Sequence, residues 1–390
     1  MAKIDDSVKK KVPELRFKGF TDEWEERKLG ELASFSKGNG YTKNDLVEFG
    51  DPIILYGRLY TKYETVIEKV DTFVNKKDNS IISEGSEVIV PASGESSEDI
   101  SRASVVGKSG LILGGDLNII KPVNYIDSIF LALTISNGSQ QQEMSKRAQG
   151  KSVVHLHNSD LKQVNLLYPK LEEQQKIGSF FKKLDNTISL HQRKLDLLKE
   201  QKKGFLQKMF PKNGAKVPEL RFAGFADDWE ERKFKDILKT HSFRSYLADI
   251  SENGEYEVIQ QGDKPIVGYS DGKPFTNYKD ITLFGDHTVS LYKPKRPFFV
   301  ATDGVKILSA DNFEGDYLYT TLERYKPEPQ GYKRHFTILK NQDVWFTGNM
   351  EEQQKIGSFF KQLDDTIALH QRKLDLLKEQ KKGFLQKMFI

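Results

Sequence analysis

The stretch LHQRKLDLLKEQKKGFLQKMF fills residues 190–210, and residues 369–389 spell the same letters again. Followed outward, residues 172–210 return at 351–389 with 36 of 39 positions identical and an offset of 179. A second repeat, VPELRFKGFTDEWEERKL at 12–29, returns as VPELRFAGFADDWEERKF at 217–234, with 14 of 18 positions identical and an offset of 205. The inserts between them, 28–171 and 233–350, share no alignable run, and the second is 26 residues shorter. Segments held nearly identical within one chain meet the same structural demand twice. A constant frame therefore alternates with two variable inserts.

The longer repeat has helical spacing. Ile177, Phe181, Leu184, Ile188, His191, Leu195, Leu198, Lys202, Phe205 and Met209 follow one another at alternating intervals of four and three. The seam recurs at Ile356, Phe360, Leu363, Ile367, His370, Leu374, Leu377, Lys381, Phe384 and Met388. Such a heptad stripe predicts two coiled-coil helices that satisfy each other. Each is about 57 Å long at roughly 1.5 Å per residue. The short linker at 211–216 reaches only about 20 Å, so antiparallel packing is expected, with His191 and His370 as a facing polar pair near the midpoint. Lys202 and Lys381 are expected to extend their ammonium groups into solvent. Gly204 and Gly383 each cost about 1 kcal/mol in a helix, which predicts bending or fraying of the last turns.

A chain of 390 residues suggests two or three globular units. With no cysteine, disulfides and thiolate metal sites are excluded, and no apolar run approaches the roughly 18 residues of a bilayer span. No leader-like segment is read at the start, so a cytoplasmic location is expected. The net charge is +4 on 60 basic and 56 acidic residues. The excess lies on the long repeats: residues 172–210 hold 9 basic and 5 acidic residues and 351–389 hold 8 and 6, whereas the inserts hold 16 and 17, and 16 and 16. Charge balance alone thus makes neither insert a nucleic-acid reader.

Both inserts read as α+β. In the first, DPIILYGRLY, SEVIVPASG, SGLILGG, SVVHLH and QVNLLYP predict strands, with one helix over 126–146; in the second, YEVIQQG, HTVSLY, FFVATDG and DVWF predict strands. Catalytic signatures are missing. The GKS tripeptides at 107 and 150 lack the earlier glycine of a phosphate-binding loop, and GNG at 38–40 lacks the third glycine of a dinucleotide fingerprint. His155 and His157 would share a strand face but have no third ligand, and Glu95, Glu98 and Asp99 read as a solvated loop, so no metal site is expected.

Together, the duplicated plan, the WEERKL motif, the EEQQKIGSFFKKLD helix start and the LKEQKKGFLQKMF helix end resemble the specificity subunit of type I restriction-modification systems. The resemblance implies two α+β target recognition domains joined by two long antiparallel helices with a pseudo-two-fold repeat. It divides the chain into 1–171, a spacer helix 172–210, a linker with the second domain 211–350, and a spacer helix 351–390. Each domain would read half of a bipartite, asymmetric DNA target. The subunit itself would be non-catalytic and hold no cofactor. Two methylation subunits and the restriction subunits would supply methyl transfer and cleavage, with S-adenosylmethionine, ATP and magnesium. A DNA-free assembly scaffold, its inserts binding two proteins, is the competing reading.

Base readout needs a few well-placed fork, amide and hydroxyl groups. The candidates in the first insert are Lys37, Asn39, Tyr41, Lys43, Arg58, Tyr60, Lys62, Tyr63, Ser93, Ser96, Ser97, Lys146, Arg147, Gln149 and Lys151. In the second they are His241, Arg244, Tyr246, Gln260, Gln261, Lys273, Tyr278, Tyr332, Lys333, Arg334 and His335.

Overall fold

The computed structural model describes residues 11–150, 153–212, 214–331 and 333–390. The chain divides into two units, Met1–Gln192 with Lys373–Ile390, and Arg193–Arg372. Two long helices, Leu171–Lys208 and Met350–Met388, each contribute to both. Both begin with a glutamate pair in the first turn, where negative charge complements the helix N-terminus. Contrary to the expectation of fraying, both run without interruption through Gly204 and Gly383. Packing of the apolar stripe outweighs the single glycine penalty.

All fourteen seam positions from Ile177 to Leu198 and from Ile356 to Leu377 are buried or half-buried. Within the first unit the helical segments run antiparallel. Phe180 meets Phe384 at 5.1 Å between ring centroids, Phe181 meets Phe389 at 6.0 Å, and Gln192 accepts from Lys378 at 3.5 Å. The second unit repeats the arrangement, with Phe205 against Phe359 at 5.1 Å.

The seam lysines end on carboxylates rather than in open solvent. Lys202 is only 8% exposed, and its Nζ lies 2.6 Å from Glu323 and 2.5 Å from Asp364. Lys381 Nζ lies 2.5 Å from Asp185, whose other oxygen accepts from the Thr65 hydroxyl. A cation surrounded by apolar seam is retained only when paired, so each lysine found carboxylates instead of water.

The two inserts share a topology that their sequences hide. In the first, strand Glu25–Lys28 pairs antiparallel with Asn165–Tyr168 and leads through the short helix Leu29–Leu32 into strand Ala33–Lys37. That strand edges a five-stranded sheet in the order Ala33–Lys37, Leu117–Pro122, Val88–Pro91, Ser104–Val106, Val66–Ile67. In the second, Glu230–Lys233 pairs with Asp343–Phe346, and the corresponding sheet runs Leu238–His241, Val305–Ala310, Thr282–Gly285, Leu291–Tyr292. Smaller sheets complete each insert: Ile112–Leu113, Asp51–Ile54, Phe73–Val74 and Leu46–Val47 in the first, and Ile266–Ser270, Tyr256–Ile259 and Phe298–Val300 in the second.

Some elements differ from the sequence reading. The GRLY end of the first strand motif is a helical turn, Arg58–Thr61. The helix expected over 126–146 is two helices, Ser128–Ile135 and Gly138–Arg147, broken where Gly138 takes a positive φ of 71°. EGDYLYTTLERY, rich in residues of strand propensity, forms the helix Gly315–Tyr325. It buries Tyr317, Leu318, Thr321 and Leu322 along one face, so tertiary packing overrides propensity.

Candidate functional site

The frame under each insert is one polar socket built twice. Arg16 grips Glu173 through two hydrogen bonds of 2.6 and 2.8 Å, and Arg221 grips Glu352 at 2.6 and 2.9 Å; both carboxylates are buried. One residue on, Gln174 Oε1 accepts from the backbone N–H of Asp127, while its amide nitrogen donates to the carbonyls of Tyr125 and Pro169. Gln353 does the same with Glu314, Asn312 and Thr347. Asp127 and Glu314 in turn cap the helices Ser128–Ile135 and Gly315–Tyr325, accepting from Phe130 and Tyr317.

Burial pushes the Asp127 carboxyl above the usual range, against the backbone donors that hold it ionised. Phe130 packs on Trp24 and Phe389, as Tyr317 packs on Trp229 and Phe210. The cap approaches the long helix where only glycine fits: a Cβ at Gly178 would meet Asp127 Oδ1 at 2.9 Å, and one at Gly357 would meet Glu314 Oε2 at 2.5 Å. The sequence reading assigned no role to Arg16, Glu173, Gln174 or their counterparts. Their identity in both repeats was the available signal.

On this frame the variable loops carry the candidates. In the first unit, Lys37, Lys43, Lys62, Lys146 and Gln149 are exposed. Lys62 pairs with Asp71 at 2.7 Å, as does Arg58, whose guanidinium also reaches Glu64 at 2.7 Å and the Lys69 carbonyl. These cations, Lys62 foremost, hold the Asp71 carboxyl down at about 2. Arg58 is thus a structural clamp with its fork already filled. Tyr60 stacks edge-on against Tyr56 in that turn, which packs against the helical turn Ser97–Ile100. There Ser96 caps by accepting from the Asp99 N–H, and Ser97 contacts Glu98. Half-buried Tyr63 lies under the Arg102 guanidinium.

Two candidates of the first insert are interior groups rather than readers. Tyr41 is 5% exposed, its hydroxyl 2.5 Å from Ser80 and accepting from the Lys77 N–H, and it pins the GNG loop to residues 77–80 together with Asn39, which donates to the Asn79 carbonyl. Ser93 is 7% exposed in a strand pair with His155, to which Gln149 also bridges. Ser93 and Gln149 are thereby brought together. Arg147 folds back on Glu143 at 2.7 Å. Lys151 lies outside the described residues.

In the second unit, Arg244, Lys273, Lys333 and Arg334 are exposed. His241 and Tyr246 converge on Phe275, and Tyr278 packs against the same apolar cluster; burial, with Lys239 nearby, lowers the His241 pKa. Gln260 donates to the Lys264 carbonyl, and Gln261 accepts from the His287 N–H, bracing the turn at 286–287. His335 meets the same turn but is fully buried. Its Nε2 accepts from the Gln330 N–H and its Nδ1 sits 3.1 Å from the Asp286 carbonyl, so the ring orders the loop from inside. Tyr332 lies outside the described residues.

Six cations are left as projecting groups: Lys37, Lys43 and Lys146 in one unit, Arg244, Lys273 and Arg334 in the other. None is in an ion pair among the described residues. Such groups can bind phosphate oxygens or the acceptor edge of guanine. The sequence reading passed over Phe49, which is 82% exposed in the Gly-flanked turn between strands Leu46–Val47 and Asp51–Ile54.

The family model for the type I restriction modification DNA specificity domain matches residues 21–200 and 226–379. The type I restriction enzyme MjaVIII specificity subunit of Methanocaldococcus jannaschii is 21% identical over 240 residues, 60% of this chain and 53% of that protein, so the match spans about half of the relative's length. A second protein of that organism, provisionally named the MjaX specificity subunit, is 23% identical over 323 residues, 74% of each chain. In fold, the chain is similar to the crystal structure of a type I restriction-modification S subunit from M. genitalium, with a TM-score of 0.69 at 16% identity, covering 97% of this chain and 99% of that one. The chain belongs to the type I restriction modification DNA specificity domain family and carries that domain twice.

Proposed function

We propose that this chain is the non-catalytic DNA-reading subunit of a type I restriction-modification complex. The carrying observation is that one polar socket, repeated almost residue for residue, supports two unlike sets of loops. Each loop set reads one half of a bipartite, asymmetric target, and the long helices act as spacer. The projecting Lys37, Lys43, Lys146, Arg244, Lys273 and Arg334 serve as direct contacts, with Phe49 a stacking or wedging group on the duplex. Tyr41, Ser93, Arg58, Gln261 and His335 shape the loops from behind.

Because the inserts are near-neutral, partner subunits supply much of the phosphate contact. The duplicated frame suits two equivalent methylation subunits, with restriction subunits joining the complex. S-adenosylmethionine, ATP and magnesium then act in those partners, and the complex works in the cytoplasm. The test is to map methylated sites in cells that express this chain with its methylation subunits. One split motif supports the reading; no sequence-specific methylation dependent on this chain would refute it and favour a protein-binding scaffold.

A further inference from the structure

The two units differ in what each insert places against the repeated lysine of the frame. In the second unit Lys202 Nζ is held by two carboxylates, Asp364 and Glu323. Glu323 lies nine residues after the cap Glu314, on the helix Gly315–Tyr325. Nine residues after the matching cap Asp127 stands Ser136, with Lys381 and Asp185 in the places of Lys202 and Asp364. The side chain that supplies the second carboxylate is therefore absent from the first unit.

A cavity of about 240 Å³ opens there instead. Lys381 and Arg102 line it with the polar groups of Asn137 and Gln141, and Leu133 and Leu385 form its apolar wall. Arg102 lies over the Tyr63 ring, 6.0 Å from its centroid, and is in no ion pair among the described residues. The charge balance differs between the units: one lysine faces two carboxylates in the second, whereas in the first Lys381 faces the single carboxylate of Asp185 and shares the cavity with a second cation, Arg102. A cationic, partly enclosed pocket with the Gln141 amide at its edge and a short apolar wall suits a carboxylate.

We infer that this cavity binds the carboxylate of a small organic acid, which occupies in the first unit the place that Glu323 fills in the second. The ligand carboxylate accepts from Arg102 and from Lys381, and its body rests against Leu133 and Leu385. This inference is independent of what the loops read.

The test titrates the full chain with sodium acetate at constant ionic strength set by chloride, following hydrogen–deuterium exchange and the thermal midpoint. Acetate should give saturable protection in peptides covering 63–65, 102–103 and 133–141, and none in the helix Gly315–Tyr325. Arg102→Gln should weaken the response at least tenfold. Ser136→Glu, which supplies the missing carboxylate internally while giving up the bond from the Ala103 N–H to the Ser136 hydroxyl, should abolish the acetate response. The assignment is overturned by acetate acting no better than chloride, by an equal response in Arg102→Gln, by an acetate response undiminished in Ser136→Glu, or by inorganic phosphate binding where acetate does not.

Discussion

Replacing Arg16 with alanine isolates the socket. Arg16 and Glu173 have side-chain exposures of 13% and 1%, with bonds of 2.6 and 2.8 Å. Deleting the arginine leaves a carboxylate with almost no access to water, a situation that costs about 3–5 kcal/mol. For a unit of this size, each kcal/mol lowers the midpoint by about 2–4 °C, so the expected fall is roughly 6–20 °C. An exposed pair on the same frame is the control: Lys170 and Asp22 are 78% and 63% exposed, and Lys170→Ala should leave the midpoint almost where it was, because solvent screens such a pair. Adding Glu173→Gln to Arg16→Ala should recover part of the loss, because an amide is easier to bury than an unpaired charge. Urea unfolding with hydrogen exchange resolved by peptide would measure both the size and the place of the effect, which should be confined to the first unit; Arg221→Ala should act likewise on the second. If Arg16→Ala cost no more than Lys170→Ala, the buried pair would not be what holds the entry segment to the long helix.

Other substitutions separate positions that look alike. Gly204→Ala and Gly383→Ala, where an added Cβ meets nothing within 4 Å, should stabilise by about 0.5–1 kcal/mol; Gly178→Ala and Gly357→Ala should destabilise by about 1–3 kcal/mol because the Cβ runs into the cap. Thermal midpoints of the four variants decide it, and a common sign would contradict the close approach. Burial lowers the His241 pKa, so the unfolded chain binds the proton more readily; stability of the second unit should fall as pH drops through the histidine range, and His241→Gln should flatten that dependence in urea titrations at pH 5–8. Arg244→Ala should relax one position of the methylation motif at a cost of about 1–3 kcal/mol, whereas Lys43→Ala should weaken all sequences alike and lower the salt slope by about one. Binding assays at graded salt, on matched and singly altered duplexes, distinguish the two.

The long helices were legible because a heptad stripe is periodic and needs no partner to be seen. The socket was not. Arg16 and Glu173 are 157 residues apart, and polar residues meeting across such a distance leave no local pattern. Their near-identity between repeats shows that something is built twice, but the structure is needed to show that it is an ion pair, an amide bridge and a glycine contact. The candidate readers are legible only by residue type. Arg58 and Tyr41 have the chemistry of base contacts, yet Arg58 is filled by Glu64 and Asp71, and Tyr41 is spent on Ser80 and Lys77. The partners of Tyr41 are 36 and 39 residues away, and those of Arg58, though only 6 and 13 away, meet it across irregular turns that have no periodic signature. The helix Gly315–Tyr325 escaped because its tyrosines and threonines favour strands, and only its buried face makes it helical.

The central claim, that two unlike loop sets on one repeated frame read two half-sites, is tested most directly by methylation mapping after exchanging one insert. Replacing the first insert with that of another family member, with both repeats intact, should change one half of the methylated motif and leave the other half and the spacing as they were. A change in both halves, or in neither, would contradict it.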